Sequence, residues 1–178
     1  SVQNTKPAFL VEQSTEIFQG RIFNLVNKEV RFPNGHRAVF NVIEHPGACA
    51  ILPRFDNGDI LILRQLRVAT GETLYEIPAG TIEAEESALQ TAKREIVEET
   101  GYRPRQWEKL SEFYSAPGFS SELIHLYLAT DLHPATAKQD EDEILEPIRI
   151  SFRKALRMIR EGKIRDAKSI AALLLLKK

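Results

Sequence analysis

The chain has 178 residues, of which 43% are apolar, and its 24 basic and 25 acidic side chains give a formal net charge of −1. This length and apolar content suit one domain with at most a small extension, and the balanced charge provides no overall positive field for binding nucleic acid. Because there is one cysteine and no apolar run long enough to span a bilayer, we expect neither a disulfide framework nor a membrane partner. The expected protein is soluble and cytoplasmic.

The N-terminal quarter of the sequence carries strand patterns. Residues 1–15 are polar and weakly patterned, and we expect an irregular lead-in there. Residues 16–44 contain apolar pairs and alternating apolar positions around Pro33-Asn34-Gly35, which is typical of a hairpin turn. We predict a small antiparallel sheet of about three strands, forming an extension over residues 1–45 that precedes a main domain over residues 46–178. Because so small a sheet buries little surface, it needs a partner surface in its own chain or in a second subunit.

The remaining sequence alternates short strand patterns with three helix patterns. Residues 55–59 are typical of a second hairpin turn, and residues 131–140 of a polar loop. Strands on both sides of one central helix, followed by helices at the end, predict an α+β sandwich. The predicted strands are 48–53, 60–65, 74–78, 107–113, 123–129 and 144–150, and the predicted helices are 85–100, a helix between the N-cap Ser151 and the stop Gly162, and 166–176.

The central helix, over residues 85–100, carries an apolar face beside an acidic one. The acidic face contains Glu95, Glu98 and Glu99, and like charges one turn apart destabilise a helix by a few tenths of a kcal/mol. A cluster of carboxylates at the edge of a core suits a hard divalent cation such as Mg²⁺ or Mn²⁺, whereas a solvated acidic face is the ordinary explanation for a glutamate-rich helix. The apolar face, which we expect to be buried, consists of Ala88, Leu89, Ala92 and Ile96.

The spacing of residues around this helix resembles the Nudix box. Gly80 is followed after five residues by Glu86, and after seven more by Arg94-Glu95-Ile96-x-Glu98-Glu99-x-Gly101-Tyr102. The one departure is Tyr102, at a packing position where the family usually has an aliphatic residue. The resemblance implies a Nudix-type α/β/α sandwich over the main domain, with a loop–helix–loop that binds divalent metal and hydrolyses a nucleoside diphosphate linked to another group.

Sequences outside the box resemble the ADP-ribose and nucleoside-diphosphate-sugar pyrophosphatase branch of that family. Pro117, at its place downstream of the box, is the usual mark of the branch. The resemblance covers roughly residues 16–175, and it does not identify the preferred nucleotide or sugar. It implies hydrolysis of a pyrophosphate bond to a nucleoside monophosphate and a sugar phosphate. The matching segments are Leu63 to Arg67, Leu74 to Gly80, Ser115 to Glu122, the acidic run from Asp140 to Glu143, and Gly162 to Lys168.

The resemblance also implies which residues hold metal and act on water. Arg94 would pair with a box glutamate and fix its orientation. A loop glutamate, Glu143 as first choice and Glu141 as second, would activate water or close over the metals. Two or more Mg²⁺ or Mn²⁺ ions are expected, and Glu98 would be a ligand or would hold a metal-bound water. The expected metal ligands are the Ala79 carbonyl, Glu86, Glu95, Glu98 and Glu99.

Substrate contacts are expected from arginines and from one loop. The planar fork of Arg67 suits a diphosphate, although an arginine at a strand end is commonly a surface charge, and Arg64 is a second candidate. Glu76 is expected to be a structural carboxylate near the site. In this branch the loop after the box borders the substrate, which adds Pro117, Gly118, Phe119 and Glu122.

The N-terminal sheet is commonly exchanged between two subunits in this branch, which implies a homodimer. Residues of the sheet, including Glu44, would then reach the site of the partner. An aromatic side chain such as Phe18 or Phe32 would stack on the nucleoside base, or would simply pack within the sheet.

Three alternatives remain open. The first is a Nudix hydrolase that acts on dinucleoside polyphosphates or nucleoside triphosphates. The second is a nucleotide-binding sensor without turnover, and the third is an unrelated α+β domain with an acidic helix. The pattern of Arg67, Pro117 and the loop acids favours the pyrophosphatase, and the presence of all four box glutamates disfavours the sensor.

Overall fold

The computed structural model describes residues 8–136 and 144–176, which form ten strands and three helices. The strands are β1 (Leu10–Gln19), β2 (Asn24–Arg31), β3 (Arg37–Glu44), β4 (Ala48–Pro53), β5 (Asp59–Arg67), β6 (Glu72–Glu76), β7 (Ala79–Thr81), β8 (Tyr102–Tyr114), β9 (Leu123–Pro134) and β10 (Leu145–Ser151). The helices are α1 (Ala88–Thr100), α2 (Phe152–Arg160) and α3 (Ala167–Leu176). Three sheets result, with the orders β1-β2-β3, β10-β5-β6 and β7-β4-β9-β8.

The N-terminal sheet is an antiparallel meander, as predicted. The turn between β2 and β3 places Gly35 at φ 82° and closes with a hydrogen bond from the Gly35 N–H to the Phe32 carbonyl, 2.9 Å long. The predicted lead-in over residues 1–15 is wrong from Leu10 onward, because β1 pairs with β2 from Leu10 opposite Arg31. Every residue of β1 is exposed, so backbone pairing rather than an apolar pattern defines this strand.

Strand β4 lies at the centre of the molecule. All six of its residues are buried, because β7 and β9 pair with its edges and helices cover both of its faces. Ala50 and Leu52 pack in a core cluster with α2 and α3, whereas Cys49 and Ile51 pack in a second cluster with α1. Burial raises the pKa of the Cys49 thiol to about 12, which makes it an inert core residue. This layering is the predicted sandwich.

Two predictions about strands are corrected by the sheet topology. The turn at residues 55–59 forms, with Gly58 donating to the Phe55 carbonyl, but β4 and β5 belong to different sheets and meet only through the isolated bridge between Arg54 and Ile60. They cannot form a full hairpin because both edges of β4 are already paired. Strand β9 continues to Pro134, into the predicted polar loop, because β8 supplies a partner as far as Tyr102.

Helix α1 begins at Ala88 rather than at residue 85. Glu85 has φ 69°, which no right-handed helix accommodates, and Ser87 is the N-cap, forming a capping box with Gln90. The helix ends at Gly101, which has φ 70° as expected of a terminating glycine. Of the predicted apolar face, Ala92 and Ile96 are fully buried, and the two remaining members pack partly buried against the same cluster.

Helices α2 and α3 cover the opposite face of β4. Ser151 caps α2 by accepting a hydrogen bond from the Lys154 N–H, and Gly162 follows the helix at φ 67°, both as predicted. Helix α3 starts after Asp166, whose carboxylate accepts from the Ser169 N–H at 3.0 Å. No helix among the described residues is long and apolar enough to cross a membrane.

Candidate active site

The acidic face of α1 lies against strand β7. A Cβ atom at Gly80 would approach Glu95 Oε1 to 2.1 Å, so only glycine leaves room for the Glu95 side chain. Glu99, which is 1% exposed, accepts a hydrogen bond through Oε2 from the Ala79 N–H at 3.0 Å. Two carboxylates one helical turn apart are therefore placed against two consecutive residues of one strand.

Arg94 connects the remaining box carboxylates. Its Nη1 donates to Glu95 Oε1 at 2.9 Å and to Glu98 Oε2 at 3.0 Å. Its Nε and Nη2 donate to the two oxygens of Glu86 at 3.2 and 3.1 Å. The hydrogen bond with Glu86 is the main cause of a raised Arg94 pKa, and the same bond, assisted by the Thr91 hydroxyl, lowers the pKa of Glu86. The guanidinium thus holds three box glutamates in one arrangement.

The chemistry of these residues fits a divalent cation. Carboxylate oxygens are the ligands that Mg²⁺ and Mn²⁺ prefer, and Glu95 and Glu99 both lie beside Ala79 and Gly80. Within residues 8–136 and 144–176, no three acidic, histidine or cysteine side chains already converge as a metal site. In this structure Glu95 and Glu98 each form an ion pair with Arg94, at 2.9 and 3.0 Å. The loop acids Glu141 and Glu143 lie outside the described residues.

A cleft of about 440 Å³ opens beside β7. It brings together two of the predicted substrate residues, Arg67 and Glu122, with the predicted ligand Ala79. It also contains Asp166 and Lys168, to which sequence analysis assigned no role. The lining residues are Ala48, Arg67, Ala79, Gly80, Thr81, Phe113, Tyr114, Ser115, Glu122, Ile124, Asp166, Ala167, Lys168 and Ala171.

Arg67 is held by the buried carboxylate of Glu76. Its Nε and Nη2 donate to the two Glu76 oxygens, both at 2.8 Å, and Lys168 donates to the same carboxylate. Burial alone would raise the pKa of Glu76, but the hydrogen bond from Arg67 and the charge of Lys168 outweigh burial and lower this pKa to about 2. Glu76 is therefore an ionised carboxylate inside the wall of the cleft.

Glu122 lies at the other side of the cleft, close to the N-terminal sheet. It accepts a hydrogen bond from the Ser115 hydroxyl, and its second oxygen is 3.7 Å from His45 Nε2. His45 Nδ1 in turn accepts from the Gly47 N–H at 3.0 Å, which orients the ring so that Nε2 faces Glu122. The segment that joins the N-terminal sheet to β4 thus contacts the cleft.

The other predicted substrate residues lie outside this cleft. Pro117, Gly118 and Phe119 line a separate groove of about 350 Å³ against the N-terminal sheet. Glu44 forms an ion pair with Lys28 at 2.6 Å in that sheet. Arg64 is exposed on β5, the middle strand of its sheet, 3.6 Å from Glu146, and it lines neither the cleft nor the groove. The structure therefore separates the predicted substrate residues into four places: the cleft, the groove, the N-terminal sheet at Glu44 and the exposed face of β5 at Arg64.

The model of one protein family matches most of the chain. The NUDIX domain matches residues 44–173. This chain belongs to the Nudix family. Pyrophosphatases of this family generally need divalent metal ions, and the carboxylate oxygens described above are of the kind that such ions prefer.

Relatives of this Nudix protein match nearly its whole length. An ADP-ribose pyrophosphatase of Bacillus subtilis (strain 168) is 37% identical over 160 residues, which are 89% of this chain and 86% of that protein. A methanol dehydrogenase activator of Bacillus methanolicus is 38% identical over 162 residues, 90% of this chain and 88% of that protein. The crystal structure of an ADP compounds hydrolase, 23% identical, superposes with a TM-score of 0.84 over 98% of this chain and 95% of that chain, so it has the same fold.

Proposed function

We propose that this Nudix protein hydrolyses the pyrophosphate bond of ADP-ribose or of another nucleoside diphosphate sugar. The products are a nucleoside monophosphate and a sugar phosphate. One observation carries the proposal: Glu95 and Glu99 lie against the same short strand, β7, that lines the cleft containing Arg67. Metal-binding carboxylates and a guanidinium suited to phosphate can therefore act on one diphosphate. The similarity to an ADP-ribose pyrophosphatase over nearly the whole chain supports ADP-ribose as the first substrate to test.

The residues of the Nudix box have two proposed roles: some bind metal, and Arg94 orients the side chains that do. Glu95, Glu99 and the Ala79 carbonyl, with Glu98 and Glu86, would hold two or more Mg²⁺ or Mn²⁺ ions. Ions held there neutralise the negative charge of a diphosphate and lower the pKa of water. Arg94 keeps Glu86, Glu95 and Glu98 in place between turnovers, so that little reorganisation is needed when the substrate enters.

The remaining roles concern the water and the substrate. Glu143, with Glu141 as the second choice, acts as the base that takes a proton from the attacking water. Arg67 binds the diphosphate with the N–H groups that Glu76 leaves available, and Glu122 binds a hydroxyl of the sugar as an acceptor. Pro117, Gly118 and Phe119, beside the N-terminal sheet, contribute to the nucleoside end of the site.

We also propose that the protein is a homodimer joined through the N-terminal extension, residues 1–45. Large apolar side chains are exposed along that sheet, among them Phe18 at 56%, Ile17 at 50% and Val39 at 61%. Several large apolar side chains exposed on one small sheet are typical of an interface. In the dimer, Glu44 and the aromatic side chains of the sheet lie near the site of the partner.

A substrate panel with a Glu99→Gln variant tests the hydrolase. Purified protein with Mg²⁺ is offered ADP-ribose, UDP-, GDP- and ADP-sugars, a dinucleoside polyphosphate and nucleoside triphosphates, each repeated with EDTA. We expect metal-dependent release of a monophosphate from ADP-ribose or a sugar nucleotide, abolished by EDTA. Circular dichroism checks that the Glu99→Gln variant is folded. Its kcat should fall on the order of 100-fold, because it lacks a charged ligand.

Other outcomes of the panel identify other functions. If only triphosphates or polyphosphates are hydrolysed, the protein is still a Nudix hydrolase, but the proposed substrate class is wrong. One relative is named as an activator of another enzyme, and a purely binding role predicts that nucleotide binds without any product, with or without metal. Activity of Glu99→Gln equal to that of the wild type would contradict the metal site itself.

A further inference from the structure

Lys168 extends from the first turn of α3 into the wall of the cleft. Its Nζ donates to Glu76 Oε2 and, at 2.9 Å, to Asp166 Oδ1. The Lys168 side chain is 12% exposed and that of Glu76 is 2% exposed, so this ion pair is shielded from water. Shielded charge pairs attract more strongly than surface pairs, and they hold a fixed geometry when each polar atom has a partner.

The same Glu76 carboxylate holds Arg67 in a two-pronged contact. Two of the five N–H groups of the guanidinium are used, and the described part of the chain shows no other acceptor for the remaining three. The Arg67 side chain is still 39% exposed, and it lines the cleft together with Lys168. Glu76 thus fixes the plane of the Arg67 guanidinium and leaves three of its N–H groups available to a ligand.

The first turn of α3 is itself tied to the strand that carries Glu76. Asp166 Oδ2 accepts from the Ser169 N–H at 3.0 Å and from the Ser169 hydroxyl. The Ser169 oxygen in turn accepts from the Ile77 N–H at 2.8 Å, next to Glu76 in sequence. Lys168 is therefore placed relative to Glu76 by the hydrogen bonds of its neighbour Ser169 as well as by its own flexible side chain.

We infer that Lys168 is a positioning residue for Arg67, acting through the carboxylate of Glu76 that both cations share. Without Lys168, Arg67 is the one cation among the described residues that pairs with this buried anion, and its guanidinium is drawn toward Glu76 and away from a bound diphosphate. With Lys168 present, the charge of Glu76 is shared and Arg67 keeps its orientation in the cleft. The inference rests on the proposed function for its substrate, a nucleoside diphosphate, and the binding of ADP tests it without turnover.

A double-mutant cycle tests the inference. Lys168→Met removes the charge and keeps the side-chain length, and Arg67→Met removes the guanidinium. We expect Lys168→Met to raise the KM for ADP-ribose roughly tenfold, as for the loss of a hydrogen bond to a charged group. The kcat should stay within about twofold, because a residue that only orients ground-state binding changes KM. When Arg67 is already methionine, the additional Lys168→Met substitution should not raise the KM any further.

Calorimetric binding of ADP to the metal-free protein gives a readout that does not need turnover. Lys168→Met and Arg67→Met should each weaken ADP binding about tenfold, and the double variant should bind like Arg67→Met alone. Lys168→Arg should restore most of the loss. The matched control is Lys163→Met, because Lys163 is exposed and pairs with Glu161 at 2.8 Å outside the cleft. Lys168→Gln replaces the methionine variant if the latter does not fold.

The opposite results overturn the inference. Additive losses in the double variant would mean that Lys168 acts independently of Arg67. Unchanged ADP binding, or a lower melting temperature with unchanged binding, would make Lys168 a structural residue only. A wild-type protein that binds ADP through Lys168 and Arg67 but hydrolyses no compound in the panel would keep the inference and refute the proposed function.

Discussion

At the scale of single residues, Glu76 shows how a buried charge can be made favourable. A lone carboxylate with 2% exposure would be costly, but Arg67 donates to both of its oxygens and Lys168 donates to Oε2. Sequence analysis placed Glu76 near the site as a structural carboxylate. Its partner Lys168 was not predicted, because 92 residues separate the two and the pattern of α3 indicates only an apolar helix.

The lowered pKa of Glu76 predicts a dependence of stability on pH. Its folded pKa of about 2 is below the ordinary 4.5, so the unfolded chain binds more protons between these values. Stabilisation by this group is complete above about pH 4.5 and is lost as the pH falls toward 2, in total on the order of 3 kcal/mol. The free energy of unfolding is measured with urea between about pH 2.5 and about pH 7. It should depend less on pH in Glu76→Gln than in the wild type. Parallel curves would contradict the assignment.

At the scale of elements, the contact of α1 with β7 forms the acidic site. The one-turn spacing of Glu95 and Glu99 was visible in the sequence, and it correctly predicted that both lie on the same face. The contact with β7 was not visible, because it depends on the absence of a side chain at Gly80 and on an N–H of Ala79. Here glycine is required for space rather than for a positive φ.

Gly80→Ala tests this contact. The added Cβ would overlap the Glu95 side chain, so we expect Glu95 to move and metal-dependent kcat to fall roughly 10- to 100-fold. Activity is measured against Mg²⁺ concentration, and the control is Lys93→Ala on the exposed side of α1. If Gly80→Ala retains wild-type activity at wild-type Mg²⁺ concentrations, the position of Glu95 against Gly80 is not needed for function.

Comparison of the predicted and observed strands and helices shows which parts of the fold can be predicted from the sequence. Strand β4 was predicted over its whole length, because it is a continuous apolar run, and α1 was predicted to end at Gly101. Strand β1 was missed from Leu10, because an exposed strand needs no apolar alternation. The pairing of β4 with β9 was also invisible, since parallel partners come from distant parts of the chain.

At the scale of the whole molecule, the N-terminal sheet is joined to the loop before β9 by backbone hydrogen bonds. The Ile43 N–H donates to the Phe119 carbonyl at 2.8 Å, and the Ser121 N–H donates to the Ile43 carbonyl at 2.9 Å. The loop that begins at Pro117 is thereby held by the same sheet that exposes apolar side chains.

The proposed dimer is tested at this scale by light scattering coupled to size exclusion. We expect the wild type to elute at twice the chain mass of 20.2 kDa. Ile17→Glu with Phe18→Glu should shift the mass toward that of one chain, because charge on an apolar interface is costly to bury. The control is Lys154→Glu, on an exposed part of α2. A wild type that elutes at the mass of a single chain would refute the dimer.

The ion pair between Lys168 and Glu76 has a consequence for how the molecule is made. Because chains are synthesised from the N-terminus, the strands that carry Arg67 and Glu76 emerge long before the helix that carries Lys168. Until that helix docks, Glu76 lacks one of its two cations and the cleft lacks part of its wall. The cleft is therefore complete only after α3 has been made and has docked, and a nascent chain that stops before α3 has the proposed metal-binding residues without Lys168.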